Sequence, residues 1–188
     1  MSYAVTAIVL CGGTSARMGG VDKTARPLGS HTIIENLIAG LPKRWPVVCV
    51  GESREVGREV IWTREHPPLG GPVAGIAAGL EHVDTPLVVI LAGDQPFAAD
   101  AAITVAEHLR DAPMDVDGVA ANQSDGRGQP LLAAYRVKRL RAVMPDDPSG
   151  HGVHRVMTPL NLTSIEVAPD STLDVDTPAD LHQANELR

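Results

Sequence analysis

The longest apolar run in the chain, Leu87-Val88-Val89-Ile90-Leu91-Ala92, stops abruptly at Gly93-Asp94-Gln95-Pro96. A run this short reads as a strand rather than a helix. No polar residue alternates along it, so neither face meets water. Strands of that kind belong to parallel sheets covered by helices on both sides. Val5 to Cys11 and Val47 to Val50 repeat the pattern, each followed at once by glycine, and Val60 to Trp62 reads as a further strand. Between them lie helical signals. Thr32-Ile33-Ile34-Glu35 is a capping-box sequence, and Ile33, Ile34, Leu37, Ile38 and Leu41 recur at helical spacing until Pro42 ends the segment. Ala74 to His82 fits a second helix, and Asp100 is positioned to cap a third that runs to Arg110. Val116 to Ala121 and Leu131 to Tyr135 read as strands. Arg136 to Met144 and Val153 to Met157 read as helices, and Thr177-Pro178 opens the last one. The alternation predicts an α/β domain with a mostly parallel sheet and helices on both faces. A chain of 188 residues holds one such domain, spanning 1–188.

Composition excludes several classes. Apolar residues make up 44% and charged residues 21%, close to the globular norm, so a packed core is expected. No apolar stretch approaches the roughly 20 residues a membrane span needs, so no membrane association is expected. Met1-Ser2-Tyr3-Ala4 has no basic region leading into a long apolar stretch, so we expect no signal peptide and a cytoplasmic location. Cys11 and Cys49 both lie in apolar segments and read as two buried thiols rather than a disulfide. The net charge of −7 and the five aromatic residues argue against a nucleic-acid partner. The same charge sits awkwardly with an anionic small-molecule substrate. Eighteen glycines and 15 prolines exceed the usual combined share of roughly 12% and imply many turns.

Two of those turns come directly after strand ends, where ligands bind in open α/β sheets. The first, Leu10-Cys11-Gly12-Gly13-Thr14-Ser15-Ala16-Arg17-Met18-Gly19-Gly20-Val21-Asp22-Lys23, combines glycines, a hydroxyl and two cations. Glycine lets backbone N–H groups approach phosphate oxygens; Ser15 adds a donor, and Arg17 and Lys23 add charge. It is not a Walker A loop, because Asp22 stands where that motif has glycine before lysine. Taken alone, the segment reads equally well as a surface loop with incidental charges. The second turn places Asp94 at the end of the apolar strand, where packing does not explain a carboxylate. Beside a phosphate loop it suits Mg²⁺, which takes one or two carboxylates together with phosphate oxygens and water. Its structural alternative is a turn-initiating aspartate. Late in the chain, Asp174 and Asp176 share a face if extended, and either completes the metal site or belongs to an acidic turn before a capped helix.

Taken together, these segments resemble the MobA-type nucleotidyltransferases, the molybdenum cofactor guanylyltransferases. Leu10-Cys11-Gly12-Gly13, Arg17-Met18-Gly19-Gly20 and Val21-Asp22-Lys23 match that family's signature. Gly71-Pro72-Val73-Ala74-Gly75-Ile76, Gly93-Asp94-Gln95-Pro96-Phe97, Gln129-Pro130-Leu131-Leu132-Ala133-Ala134-Tyr135 and Val175-Asp176-Thr177-Pro178 come next, in family order. The resemblance spans about Val5 to Leu181. It implies a Rossmann-like α/β nucleotidyltransferase domain that moves GMP from GTP to molybdopterin or its molybdenum form and releases pyrophosphate. It also implies proteins that deliver the cofactor or mature molybdoenzymes as partners. Carried over residue by residue, the Leu10-Cys11-Gly12 backbone meets the nucleotide, Lys23 meets phosphate, and Asp94 meets both nucleotide and Mg²⁺; from the loop and strip themselves we add Gly13 and Ser15 as nucleotide-binding residues and Asp176 as second metal ligand. Glu65 stands at the family's nucleotide-contacting aspartate, and Cys11 replaces its usual alanine.

The implied chemistry is in-line attack of the acceptor's phosphate on the α-phosphorus of GTP, with Arg17, Lys23 and Asp94 as the catalytic groups. An ionised phosphate needs no general base, so positioning and charge neutralisation dominate. Two alternatives remain. One is a cytidylyltransferase of the same cofactor or another sugar- or alcohol-phosphate nucleotidyltransferase, against which Gly12-Gly13 stands by resemblance. The other is a non-catalytic nucleotide-binding regulator, against which the joint presence of Lys23 and Asp94 stands. His151 and His154 read as surface residues, and Arg127 and Arg155 as weaker candidates for the acceptor's phosphate.

Overall fold

The computed structural model describes residues 4–12, 22–122 and 128–187. Gly13, Ser15, Arg17 and Arg127 lie outside the described residues, and so does most of the first loop. The chain runs β1 (Val5–Leu10), β2 (Pro27–Leu28), β3 (His31–Thr32), α1 (Ile33–Gly40), β4 (Val47–Val50), β5 (Ile61–Thr63), α2 (Pro72–Leu80) and β6 (Leu87–Ala92). It continues through α3 (Ala99–Asp111), β7 (Gly118–Asn122), β8 (Gly128–Arg136), α4 (Val137–Val143), α5 (Val153–Met157), β9 (Leu162–Glu166) and α6 (Pro178–Glu186). Seven strands form one sheet in the order β5-β4-β1-β6-β8-β7-β9, and β2 and β3 make a small separate hairpin. The contacts β4–β5, β1–β4, β1–β6 and β7–β9 are parallel, whereas β8 runs antiparallel to both of its neighbours. The expected mostly parallel α/β sheet is therefore present, with one reversed strand that the sequence did not announce.

Period-two alternation divides the apolar strands between two cores. Val5, Ala7 and Val9 of β1, with Leu87, Val89 and Leu91 of β6, face α1 and α3. Ile8, Val88 and Ile90 point the other way, onto α2, α4 and α5. Both faces are thus buried, as the lack of polar alternation requires. Each fully buried Ile, Leu or Val contributes about 1.5–3 kcal/mol of transfer free energy, so the central strands anchor the sheet. Cys11 and Cys49 are free, buried thiols in this core. Bonding between them and burial both push the Cys11 thiol well above its ordinary pKa, which keeps it protonated.

Local chemistry adjusts several boundaries. Thr32 and Glu35 form the full capping box of α1, with Glu35 N donating to Thr32 Oγ1 (3.3 Å) and Thr32 N to Glu35 Oε2 (2.6 Å). α2 starts two residues earlier than the periodicity suggests, because Pro72 occupies its first position and needs no N–H partner there. Asp100 does not cap α3. The turn from Gln95 to Ala98 winds the chain into the helix first, so Ala98 is the cap and Asp100 sits in the first turn, where its charge suits the helix dipole. α5 begins at Val153, so His151 lies outside it, and both histidines are exposed. Strand β9 is not legible in the sequence: Leu162-Thr163-Ser164-Ile165-Glu166 is a half-polar edge strand, with Leu162 half-buried against one core and Ile165 against the other. Among the described residues, no helix is long and apolar enough to cross a membrane.

Candidate active site

β1 and β6 are parallel neighbours, so their carboxyl ends lie at one edge of the sheet. The chain leaves β1 for β4 on one side, while β6 joins on the other. That switch in direction opens a crevice at the strand tips. The tips are stitched together: Gly93 N–H donates to the Leu10 carbonyl at 2.9 Å. A Cβ at position 93 would lie 2.9 Å from that same oxygen, so glycine is needed for the approach.

A third segment closes over the tips. Val175 N–H donates to the Asp94 carbonyl at 3.0 Å. The Val175 side chain is buried in a small cluster with Leu28, Ile33 and Ala184, against which Phe97, Leu173 and Leu181 pack. The capping box of α6 fixes the other end of this segment: Asp180 Oδ2 accepts from Thr177 N (2.7 Å) and also from Asp176 N (3.0 Å). The 174–176 strip therefore has its backbone held at two points, which aims Asp176 across the crevice.

Lys23 lies between the two acidic segments. Its ammonium donates to Asp94 Oδ2 and to Asp176 Oδ1, the latter at 2.5 Å. Burial pulls the Lys23 pKa down, but the bonds to Asp176 and Asp94 outweigh it, and the amine ends above its ordinary value. Among the described residues, Asp94 Oδ1 is buried and has no hydrogen-bond partner. Next along the chain, the almost fully buried Gln95 donates through Nε2 to Asp174 Oδ1 (2.8 Å) and Gln129 Oε1 (3.2 Å). Partial burial and the nearby charge of Asp94 push the Asp174 carboxyl above the usual range, with the Gln95 bond opposing them. Among the described residues, no group of three or more His, Cys, Asp or Glu side chains is gathered as a metal nest.

The turn that carries Lys23 has its own brace. Asp22 caps the single helical turn Lys23–Ala25, accepting from Thr24 N (2.9 Å) and Thr24 Oγ1 (2.7 Å) through Oδ1. Its other oxygen meets Arg54 Nη2 at 2.5 Å, and the Arg54 guanidinium sits 5.6 Å from the centre of the Trp62 ring. Both carboxylate oxygens of Asp22 are thereby engaged in holding Lys23 in place.

Of the sequence candidates, Leu10, Cys11, Gly12, Lys23, Asp94 and Asp176 converge on this edge. Cys11 N–H donates to the Val50 carbonyl at 2.8 Å, so its backbone continues the β1–β4 ladder beyond the strand. Glu65 lies beside Gly12: a Cβ on residue 12 would be 4.0 Å from Glu65 Oε1, and that oxygen accepts from Leu69 N at 3.1 Å. Gly13, Ser15 and Arg17 fall outside the described residues. Sequence reasoning missed Arg54, Gln95 and Gln129. Arg54 carries no local signal, being far along the chain from Asp22, whereas the Asp-Lys-Thr order does announce the cap.

Residues 7–163 match the MobA-like NTP transferase domain family. The chain is 30% identical over 153 residues to the molybdenum cofactor guanylyltransferase of Bordetella pertussis, covering 74% of this chain and 75% of that protein. It is 28% identical to that of Albidiferax ferrireducens, with 95% and 94% covered. Among solved structures, the molybdopterin-guanine dinucleotide biosynthesis protein A of Archaeoglobus fulgidus superposes with a TM-score of 0.73 over 97% of both chains at 22% identity. With the motifs in order along the strands and their side chains gathered at one sheet edge, the chain belongs to the MobA-like NTP transferase family.

Proposed function

We propose that this protein transfers GMP from GTP to the terminal phosphate of molybdopterin or its molybdenum-bearing form, releasing pyrophosphate. The observation that carries the reading is the convergence of Lys23, Asp94 and Asp176 at the tips of β1 and β6, beside Leu10–Gly12. The names of the relatives supply the base and the acceptor class. An acceptor phosphate oxygen attacks the α-phosphorus, the bond to the β-phosphate's bridging oxygen breaks, and pyrophosphate carries away the electron pair. The nucleophile is already ionised, so the chain supplies position and charge rather than a base. Lys23 neutralises phosphate oxygens, aided by Arg17 from the first loop. The backbone of Leu10 to Gly13, with Ser15, takes the nucleotide, and Glu65 contacts it.

The acidic pair fits Mg²⁺. Asp94 and Asp176 already converge on one cation, the Lys23 ammonium, and Asp94 Oδ1 is buried and unsatisfied. Two carboxylates with the remainder from phosphate and water is the donor set that ion prefers. Bound there, the ion would draw charge from the phosphate oxygens. We place the reaction in the cytoplasm, where both cysteines persist as thiols.

The test is pyrophosphate release from GTP or CTP with Mg²⁺ and molybdopterin. GTP is expected to support turnover and CTP is not. Lys23→Ala and Asp94→Ala are each expected to lose ~10²-fold or more with the circular dichroism spectrum unchanged. Near-normal transfer by either folded variant, or a preference for CTP, would overturn the assignment.

A further inference from the structure

Lys23 holds the two carboxylates proposed for the metal. We propose that the Lys23 ammonium is a resident counter-ion that exchanges with the divalent cation: it leaves Asp94 and Asp176 when the cation arrives, and the nucleotide's phosphates then receive it. This rests on the metal reading above. Its content is that metal and nucleotide bind with positive coupling, and that Lys23 is the element that couples them.

Asp94 Oδ2 and Asp176 Oδ1 are the oxygens that face the crevice, and one ammonium donates to both. An ammonium and a divalent ion cannot share those oxygens, because two cations at contact distance repel strongly in a partly buried site. The lysine does not saturate its partners, however. Among the described residues, Asp94 Oδ1 is buried without a hydrogen-bond partner, so the incoming cation has an unsatisfied oxygen to engage as the ammonium leaves.

Removing the ammonium from two carboxylates without giving it a new partner is costly, since it is half-buried beside them. The cation alone must meet that cost and therefore binds weakly. A triphosphate changes the balance. Lys23 sits at the end of the glycine-bearing first loop, on a turn fixed by Asp22 and Arg54, so its backbone stays put while the flexible four-carbon stem swings. With phosphate oxygens within reach, the ammonium exchanges one set of anions for another. Linkage makes the effect reciprocal: whatever the nucleotide does for the cation, the cation does for the nucleotide.

The experiment titrates Mn²⁺ alone into the purified protein, monitored by electron paramagnetic resonance of the free ion, and repeats the titration with GTP present. Lys23→Met keeps a flexible four-atom stem and removes the ammonium. It is expected to bind Mn²⁺ alone at least ~10-fold more tightly than wild type, with the wild-type tightening by GTP reduced to a few-fold. A difference below about 2-fold between Lys23→Met and wild type, with Asp94→Asn still abolishing Mn²⁺ binding, overturns the exchange and leaves the metal reading intact. Mn²⁺ binding that survives both Asp94→Asn and Asp176→Asn overturns the metal reading itself. Wild type gives a second measurement that does not depend on a variant folding. Labelling the lysines with ¹³C at Cε gives separate signals for Lys23, Lys43 and Lys138. Mg²⁺ with GTP is expected to shift the Lys23 signal and leave those of Lys43 and Lys138; a Lys23 signal that stays fixed while the nucleotide binds refutes the exchange.

Discussion

A methyl group added at Gly93 probes the junction on which the site depends. An alanine Cβ there would lie 2.9 Å from the Leu10 carbonyl oxygen and 3.4 Å from both Cys11 Cα and Thr24 Cγ2. The closest of these contacts is backbone, and it is the same oxygen that accepts the Gly93 N–H bond at 2.9 Å, so neither side can rotate away. The tips of β1 and β6 must part by a few tenths of an ångström. Overpacking of this kind costs about 1–3 kcal/mol. Gly93 is not in the left-handed region, so alanine also removes unfolded-state freedom worth about 0.4–1 kcal/mol in the opposite sense. The net expectation for Gly93→Ala is a loss of about 1–2 kcal/mol. Turnover should fall further than stability implies, because Asp94 is the next residue and small displacements of a reacting constellation cost up to ~10²-fold. Urea unfolding monitored by circular dichroism gives the first quantity, and pyrophosphate release at saturating GTP the second. Gly152→Ala is the control: among the described residues nothing lies within 4 Å of its Cβ and its φ of −75° suits alanine, so the unfolded-state gain and the loss of a glycine N-cap on α5 should leave a change within about 0.5 kcal/mol and turnover unaltered. A Gly93→Ala protein with the wild-type midpoint and wild-type turnover would refute the close approach of the two strand tips.

Two further outcomes arise from the charges around the site. Asp174 carries a raised pKa from partial burial and the Asp94 charge, so its ionised form disfavours the folded state. That penalty is absent where both states are neutral, below the ordinary aspartate value, and it grows as pH rises through the folded value. Asp174→Asn, which can still accept from Gln95, is therefore expected to unfold at a higher temperature than wild type near neutral pH, by no more than ~1 kcal/mol. The difference should vanish as pH falls below about 4; a constant difference across a thermal-melt pH series contradicts the assignment. Arg54→Ala removes both the Asp22 pair and the Trp62 stack, and is expected to lower kcat about 10-fold through the Lys23 turn while changing the acceptor KM little. Arg54→Lys should restore little of it, since an ammonium lacks the planar fork that spans ring and carboxylate. Full rescue by lysine in steady-state assays would reduce the brace to simple charge.

Legibility in the sequence depends on how each feature is encoded. β1, β4 and β6 announce themselves because both of their faces are apolar and glycine comes soon after each, so composition and position carry the same message. The capping box at Thr32 is equally local and forms as read, and Thr177, read as the start of the last helix, is its N-cap and also closes a capping box with Asp180. β9 is hidden because an edge strand buries little: Leu162 and Ile165 lie on opposite faces, one apolar residue to each, too few to register as a period. The reversal of β8 was hidden for a different reason: strand direction depends on which neighbour it pairs with, and nothing in Leu131 to Tyr135 distinguishes the two. Asp94 was conspicuous as a carboxylate at the end of an apolar strand. Arg54 was not, because its role exists only once β4 brings it to Asp22.

The negative charge of the chain, which seemed to oppose a triphosphate, is resolved by where the charges sit. Around the crevice the acids do not stand alone: Asp94 and Asp176 hold Lys23, and Asp22 holds Arg54. A net of −7 spread over the surface falls off within a Debye length of about 8 Å at physiological salt, so it does little at a site screened by its own cations. The pairing also explains why acids belong in such a site at all. A bare cluster of lysine and arginine would bind phosphate tightly in the ground state and hold pyrophosphate after transfer, gaining nothing at the transition state. Carboxylates that share the ammonium weaken its hold on phosphate and give it a place to return to once pyrophosphate leaves. On that reasoning, Asp176→Asn should tighten pyrophosphate binding measured by calorimetry without divalent cation, because it takes away one of the two anions to which Lys23 returns, while turnover with Mg²⁺ slows.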